Sequence, residues 1–243
     1  MHTTDRTIAI RPPFRLARLA IGLGLVAAPV LAMPGLAFAG GDEVAFAPPT
    51  RIGGFVDPGW RYCEGRKATI VGTGGADAIK GTPGDDVIVA LGGNDRINGG
   101  GGHDTICAGP GDDTVHGDAG DDIVRGGSGN DNLQGDEGLD LLMGDAGSDL
   151  LDGEEDPDHL YGGDGSDWLI GRDGNDHLVG GSGKDTIDAA TDDDDSHDQV
   201  LGGGDDDLIF ADDGGATADS VHGDGGFDTC PADPVDGVFT CEA

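Results

Sequence analysis

The sequence predicts an all-β fold, a right-handed parallel β-roll (a β-solenoid) of 18-residue coils built from nonapeptide repeats. Three observations carry this reading. An Asp recurs at every ninth position without a slip, from Asp77 to Asp185. A large aliphatic stands two residues after each of them, from Ile79 to Ile187. Glycine fills most positions five and two residues before the Asp, and supplies 49 of the 243 residues. A fixed internal period outranks local propensity as a guide to architecture.

Each part of the unit has a physical reason. Nine is not a helical harmonic, and Gly every few residues costs a helix about 0.5–1 kcal/mol apiece, so helix is excluded. The last three residues of a unit, such as Thr105-Ile106-Cys107 or His177-Leu178-Val179, suit a very short strand with only the middle side chain inward. The first six, such as Gly99-Gly100-Gly101-Gly102-His103-Asp104, suit a turn that uses positive φ. Two turn–strand pairs close one coil, and stacked coils pair their strands in parallel, two sheets thick. Residues flanking the inward aliphatic are expected to face solvent.

Along the chain, residues 1–39 read as a signal peptide. Arg6, Arg11, Arg15 and Arg18 precede the apolar stretch Leu19 to Leu31, and Ala37-Phe38-Ala39 supplies small residues for cleavage. A membrane anchor is the competing reading, because Leu19 to Ala39 is long enough to span; Pro29 and Pro34 disfavour one continuous helix. Residues 40–71 form a leader and N-terminal cap, aperiodic up to Tyr62 and broken by Pro48, Pro49 and Pro58. Thirteen repeats fill 72–188. Looser repeats occupy 189–231, interrupted by insertions at Ala189 to Asp192 and Ala211 to Asp213, with their Asp at Asp198, Asp207, Asp219 and Asp228. Residues 232–243 form a C-terminal cap. Four cysteines in an exported chain suggest two disulfides, for which three connectivities exist. Cys63–Cys107 with Cys230–Cys241 is preferred, since each pair lies at one end of the array. A zinc site is the alternative, but no C-x-x-C or nearby His spacing supports it.

The chain carries 48 acidic against 13 basic side chains, a net charge of −35. Such a surface repels nucleic acid and anionic membranes and attracts cations. Aromatics are 5% of the chain, too few to anchor an ordinary large core. By composition alone it fits an acidic disordered polymer. The ninefold register argues against that, because disorder places no demand on where an Asp falls.

The register also points to a metal. Neighbouring strands lie about 4.8 Å apart, so repeats two units apart bring their carboxylates to about that separation. Calcium takes oxygen ligands at roughly 2.3–2.6 Å, so one ion midway can bridge both, with turn carbonyls completing its shell. Magnesium is too small for this gap, and transition metals prefer His or Cys. The candidate ligands are Asp77, Asp86, Asp95, Asp104, Asp113, Asp122, Asp131, Asp140, Asp149, Asp158, Asp167, Asp176 and Asp185. Burial of the aliphatics falls short of the backbone entropy of ordering the array. Metal binding is therefore expected to be coupled to folding, and the metal-free chain to be largely unfolded.

The unit Gly126-Gly127-Ser128-Gly129-Asn130-Asp131-Asn132-Leu133-Gln134 meets every fixed position of G-G-x-G-x-D-x-U-x, as does Gly180 to Asp188. The chain thus resembles the repeats-in-toxin (haemolysin-type) calcium-binding proteins, whose turns bind Ca2+ through the Asp and Gly-turn carbonyls of alternate repeats. The segment Cys63 to Cys107, with Ala68-Thr69-Ile70-Val71-Gly72-Thr73, is similar to secreted actinobacterial calcium-binding proteins. Departures occur at Asp156 and Pro157, which interrupt the turn starting at Gly153, and in the turns ending at Asp198, Asp207 and Asp219; sites there are expected to be impaired. An N-terminal signal and a Cys-bearing tail also depart from the family's one-step export through a C-terminal signal.

Catalytic chemistry is not in evidence: no H-E-x-x-H, G-x-S-x-G or phosphate loop occurs. His103, His116, His159, His177, His197 and His222 read as scattered surface residues. The run Asp192-Asp193-Asp194-Asp195 lacks the spacing of an EF-hand and reads as a solvated insertion. Apolar residues on the outside of the middle repeats, Leu141, Met143, Leu150, Tyr161, Trp168 and Ile170, are covered by a loop or the tail, the preferred reading, or mark a region for a protein partner or self-association. The expected function is a secreted, extracellular, non-enzymatic calcium-binding protein that folds on binding calcium, structural or adhesive at the cell surface. Two alternatives are a calcium-dependent appendage of a secreted hydrolase and a toxin-like exoprotein. The first needs a catalytic domain that the roughly 30 residues between signal and array cannot form. The second needs an amphipathic or apolar region absent from the mature chain.

Overall fold

The computed structural model describes residues 62–189, 196–211, 219–230 and 238–241, all within the unit Pro48–Ala243. The expected signal peptide, most of the leader, the run Asp192–Asp195 and most of the C-terminal cap lie outside the described residues. Those described form two parallel sheets, of eight and ten strands, and a separate antiparallel hairpin of Tyr62–Cys63 with Arg66–Lys67. From Ile70–Val71 to Ser220–Gly225 successive strands alternate between the two sheets, and Val238–Thr240 then joins the sheet of Ser220–Gly225. Leu133 therefore pairs with Leu151 in one, and Leu142 with Leu160 in the other. The result is the expected β-solenoid, of about eight turns. Among the described residues no helix is long and apolar enough to cross a membrane.

The aliphatic column is the core. Ile97, Val115, Leu133, Leu151, Leu169 and Ile187 point inward from one sheet and meet Ile88, Ile106, Val124, Leu142, Leu160 and Leu178 from the other, all 0% exposed. Full burial of such a side chain stabilises by about 1.5–3 kcal/mol. The two insertions leave this column intact. Across them the pairing step lengthens from 18 residues to 22 and then 21, while Leu178 still meets Val200 and Val200 still meets Val221. Both ends carry a disulfide, Cys63–Cys107 and Cys230–Cys241, as preferred from their positions.

The strands are longer than the sequence suggests. Most span six residues, as in Thr105–Pro110, rather than three. The first three turn residues continue the ladder, with Gly109 opposite Gly127. They do so through a kink at the second turn position, where Gly109 takes φ 107°. Where a side chain occupies that position the left-handed conformation persists, at Asp118 (70°), Asp136 (71°), Asp145 (72°) and Arg172 (69°).

Two expectations about the outer faces are corrected. Val87 and Val89 flank the inward Ile88, yet are only 9% and 6% exposed, because they pack with the hairpin residue Cys63. The apolar residues of the middle repeats do not form one patch either. Leu141, Met143 and Tyr161 lie on one sheet, and Leu150, Trp168 and Ile170 on the other, since units nine residues apart face opposite ways. Only residues one full coil apart are neighbours, as Leu150 is to Trp168. Trp168 is 51% exposed and Tyr161 37%.

Candidate metal centre

Every turn ends on its repeating Asp, and the structure gives the two oxygens of that carboxylate different surroundings. One oxygen straps coils together: Asp95 Oδ1 accepts the main-chain N–H of Asp77 at 2.7 Å, one coil earlier. The same bond recurs from Asp122 to Asp140 Oδ1 (2.7 Å) and from Asp140 to Asp158 Oδ1 (2.8 Å). Two such ladders run along the roll, one at each edge. Their carboxylates are not bare charges facing each other, as the strand spacing alone implied; half of each is already committed to an amide.

The second oxygen is the unusual one. In Asp95, Asp104, Asp113, Asp122, Asp131, Asp140, Asp149, Asp158, Asp167, Asp176 and Asp185, Oδ2 is buried with no hydrogen-bond partner. A buried anionic oxygen without a partner is costly, so a repeated row of them calls for a cation or a proton. The first turn glycine stands beside it. A Cβ added to Gly117 would lie 2.5 Å from Asp122 Oδ2 and 2.6 Å from the carbonyl oxygen of Gly135 in the next coil. Glycine is required here by that approach, not by its φ. An orphaned carboxylate oxygen and main-chain carbonyls form a hard, all-oxygen donor set, which suits calcium. Among the described residues there is no cluster of three or more His, Cys, Asp or Glu to hold a metal by side chains alone.

The electrostatics agree. Burial, reinforced by neighbouring carboxylates and only partly offset by the strapping amide, pushes Asp122 and Asp158 up to about 8 and Asp131 and Asp167 to about 7. Asp140 is pushed up to about 6. Asp95, Asp104, Asp113, Asp149 and Asp185 move in the same direction, with burial again the first cause. Without a metal, these groups tend to hold protons where a surface Asp is ionised.

The candidates are not equivalent. Asp77 is only half-buried, and its Oδ2 accepts both the amide (2.6 Å) and the hydroxyl (2.9 Å) of Thr73. Asp86 is 5% exposed, but its Oδ2 accepts the Thr82 amide at 2.7 Å and its Oδ1 the Thr69 hydroxyl at 2.8 Å. Burial raises the Asp86 carboxyl, yet these donors outweigh it and leave it below the ordinary value. The irregular turns also differ from expectation, in the other direction. Asp156 adopts φ 76° in place of Gly, and Asp158 keeps both its strap and its orphaned oxygen. Asp205 does the same at φ 76°. Both ladders continue through the looser repeats, where Asp198, Asp207, Asp219 and Asp228 are buried, strapped and orphaned at Oδ2.

A different kind of ladder escapes the sequence reading altogether. The residue just before the repeating Asp often accepts an amide from the next coil, as Asp112 Oδ1 does from Asn130 (2.9 Å) and Asn130 Oδ1 from Ser148 (2.9 Å). It runs opposite in sense to the first. Its only sequence signal is the abundance of Asn and Asp at that place. The histidines are less scattered than expected: His159 and His177 share a repeat position one coil apart, and their rings lie 5.5 Å apart. His103 and His116 lie within ion-pair distance of Asp121 (3.6 Å) and Asp136 (3.4 Å).

No curated protein matches the chain significantly. The model of the RTX calcium-binding nonapeptide repeat matches in four copies, over residues 71–106, 108–133, 125–160 and 161–196. Those copies cover just over half of the chain, along the two Asp ladders and the stacked core that joins them. The chain belongs to the family of RTX calcium-binding nonapeptide repeat proteins, and its repeats bind calcium.

Proposed function

We propose that this is a secreted protein whose array orders when calcium enters the two rows of orphaned oxygens, and which then acts as a rigid structural or adhesive element at the cell surface. The observation that carries the reading is the repeated buried Oδ2 without a partner, from Asp95 to Asp228. Asp95 to Asp185 and the later Asp198, Asp207, Asp219 and Asp228 are the proposed side-chain ligands, with turn carbonyls beside them. Bound calcium supplies positive charge where each coil leaves one carboxylate oxygen unsatisfied. The chain's own part is to bring those oxygens into line, through the straps, the Gly approach and the aliphatic column. The basic and then apolar N-terminal segment, read as a signal peptide, and the two disulfides support the location, because extracellular calcium is abundant and disulfides persist there.

Calcium counting after desalting tests this: several tightly held ions per chain are expected, undisplaced by millimolar magnesium. A chain that retains none, or exchanges them freely for magnesium, contradicts it. The exposed Trp168 and Tyr161 lie on opposite sheets, so any partner or second copy engages them separately. Sedimentation in calcium of Trp168→Ser and of Tyr161→Ser checks that; unchanged association in both removes the idea.

A further inference from the structure

The first coils are built unlike the rest. Asp77 and Asp86 are the two repeat carboxylates whose Oδ2 takes donors from the chain itself, through Thr73 and Thr82. Thr69 completes the set: its hydroxyl donates to Asp86 Oδ1 at 2.8 Å and accepts the Val87 amide at 2.9 Å. From Asp95 onward that satisfaction stops and the orphaned oxygens begin.

The same region has a second apolar cluster. Cys63, Val87 and Val89 are buried together outside the main column, flanked by Ala68, Leu91 and Cys107. The hairpin that supplies Cys63 is tied down at several points along one sheet. Cys63 is bonded to Cys107. Arg66 Nη1 donates to the buried Thr105 hydroxyl at 2.6 Å. Glu64 accepts from Arg125 Nη1 at 3.0 Å, and Arg125 also pairs with Asp145. One small hairpin thus engages strands belonging to several successive coils.

We infer that Tyr62–Val89, clipped to the strand Thr105–Cys107 by the disulfide, orders without metal and is the template on which the calcium-dependent coils stack. Growth then runs from low to high residue number, each new strand adding to an edge already in place. This avoids forming a first coil from a disordered chain, which is the slow and entropically costly step of any non-local parallel pairing. It also means that Asp77 and Asp86 are not calcium ligands, although they share the repeat. The inference rests on calcium-coupled folding of the rest of the array.

Hydrogen exchange of the full oxidised chain, read by mass spectrometry, tests it. In chelator, the amides of Thr69, Gly72 and Thr105, which bond to Val87, Val89 and Asp86, are expected to be protected at least about tenfold, while those of Leu141, Leu150 and Trp168 exchange as in an unfolded chain. Stepwise calcium should extend protection toward higher residue numbers. Thr69→Val removes the hydroxyl but keeps the shape. It should lower the chelator-state protection of 62–89 by about tenfold or more, without changing the calcium count at saturation. A chelated chain with no protected segment, or one protected first near Cys230, overturns the template while leaving calcium binding intact. An unaltered Thr69→Val exchange pattern also counts against it. Protection of the whole array in chelator removes the calcium coupling beneath the inference.

Discussion

Replacing Asp140 by Asn separates the two roles of the repeat carboxylate, because it should move the metal-free and calcium-bound states in opposite directions. Asp140 is 1% exposed, strapped through Oδ1 to the Asp122 amide, and orphaned at Oδ2. In Asp140→Asn the new side chain can keep the strap through its carbonyl oxygen, but it puts an NH2 where the orphaned oxygen stood. In the metal-free fold the Asp140 carboxyl is pushed up to about 6 by burial. Ionising it at pH 8 therefore costs the fold on the order of 3 kcal/mol relative to an unfolded Asp near 3.9. The amide lifts that cost, so the chelated variant should be the more ordered of the two proteins at pH 8. With calcium the order reverses: a charged oxygen ligand is lost, the ion count falls by at least one, and the calcium midpoint rises. Far-UV circular dichroism during calcium titration, with ion counting at saturation, reads both effects. A variant with unchanged ion count and midpoint would refute the assignment of Oδ2 to the metal.

Acidity should act on the metal-free chain in the same way. The folded-state values of Asp122, Asp131, Asp140, Asp158 and Asp167, about 6 to 8, lie above the unfolded value near 3.9. Their contribution is thus fully present below about pH 4 and lost as pH rises through 6 to 8. Chelated protein should be more ordered at pH 4.5 than at pH 8, and apparent calcium affinity should weaken as pH falls, both measurable by circular dichroism. Gly117→Ala places a methyl against Asp122 Oδ2 and the Gly135 carbonyl without straining φ, so it should weaken calcium binding. Gly84→Ala, whose added carbon meets nothing, is its control, and calorimetry compares them. Removing Cys63–Cys107, which spans 44 residues, should destabilise the calcium-bound fold by about 4 kcal/mol on a loop-entropy basis, and removing Cys230–Cys241, which spans 11, by about 3 kcal/mol. Denaturant melts of the two Cys→Ser pairs check the order.

Much of this was legible in the sequence because each repeat places the same demand on the same position. Ile97 and Leu133 read as core since only one side chain per strand points inward, and both are fully buried. The ladder of Asp carboxylates was legible as a row, but not its geometry. That one oxygen would take an amide from the coil below depends on backbone direction, which a list of Asp positions does not contain. Asp77 and Asp86 carry the repeat signature yet stand apart, because Thr73, Thr82 and Thr69 satisfy them and no motif weighs those threonines. The converse holds at Asp158. The missing Gly at Asp156 suggested a damaged turn, but Asp tolerates the left-handed conformation better than most residues, and stacking on both sides holds it there. Nearness in sequence groups Leu150 and Trp168 with Leu141 and Tyr161; the alternation of the sheets separates them.

Hydrodynamic radius and far-UV circular dichroism of the full oxidised chain, followed through calcium addition, chelation and substitution by magnesium, test the central claim most directly. The account predicts an expanded, strand-poor chain in chelator and in magnesium, with order confined to the N-terminal clip. It predicts a reversible collapse to a strand-rich rod in calcium. A chain equally compact and strand-rich in all three conditions would contradict it.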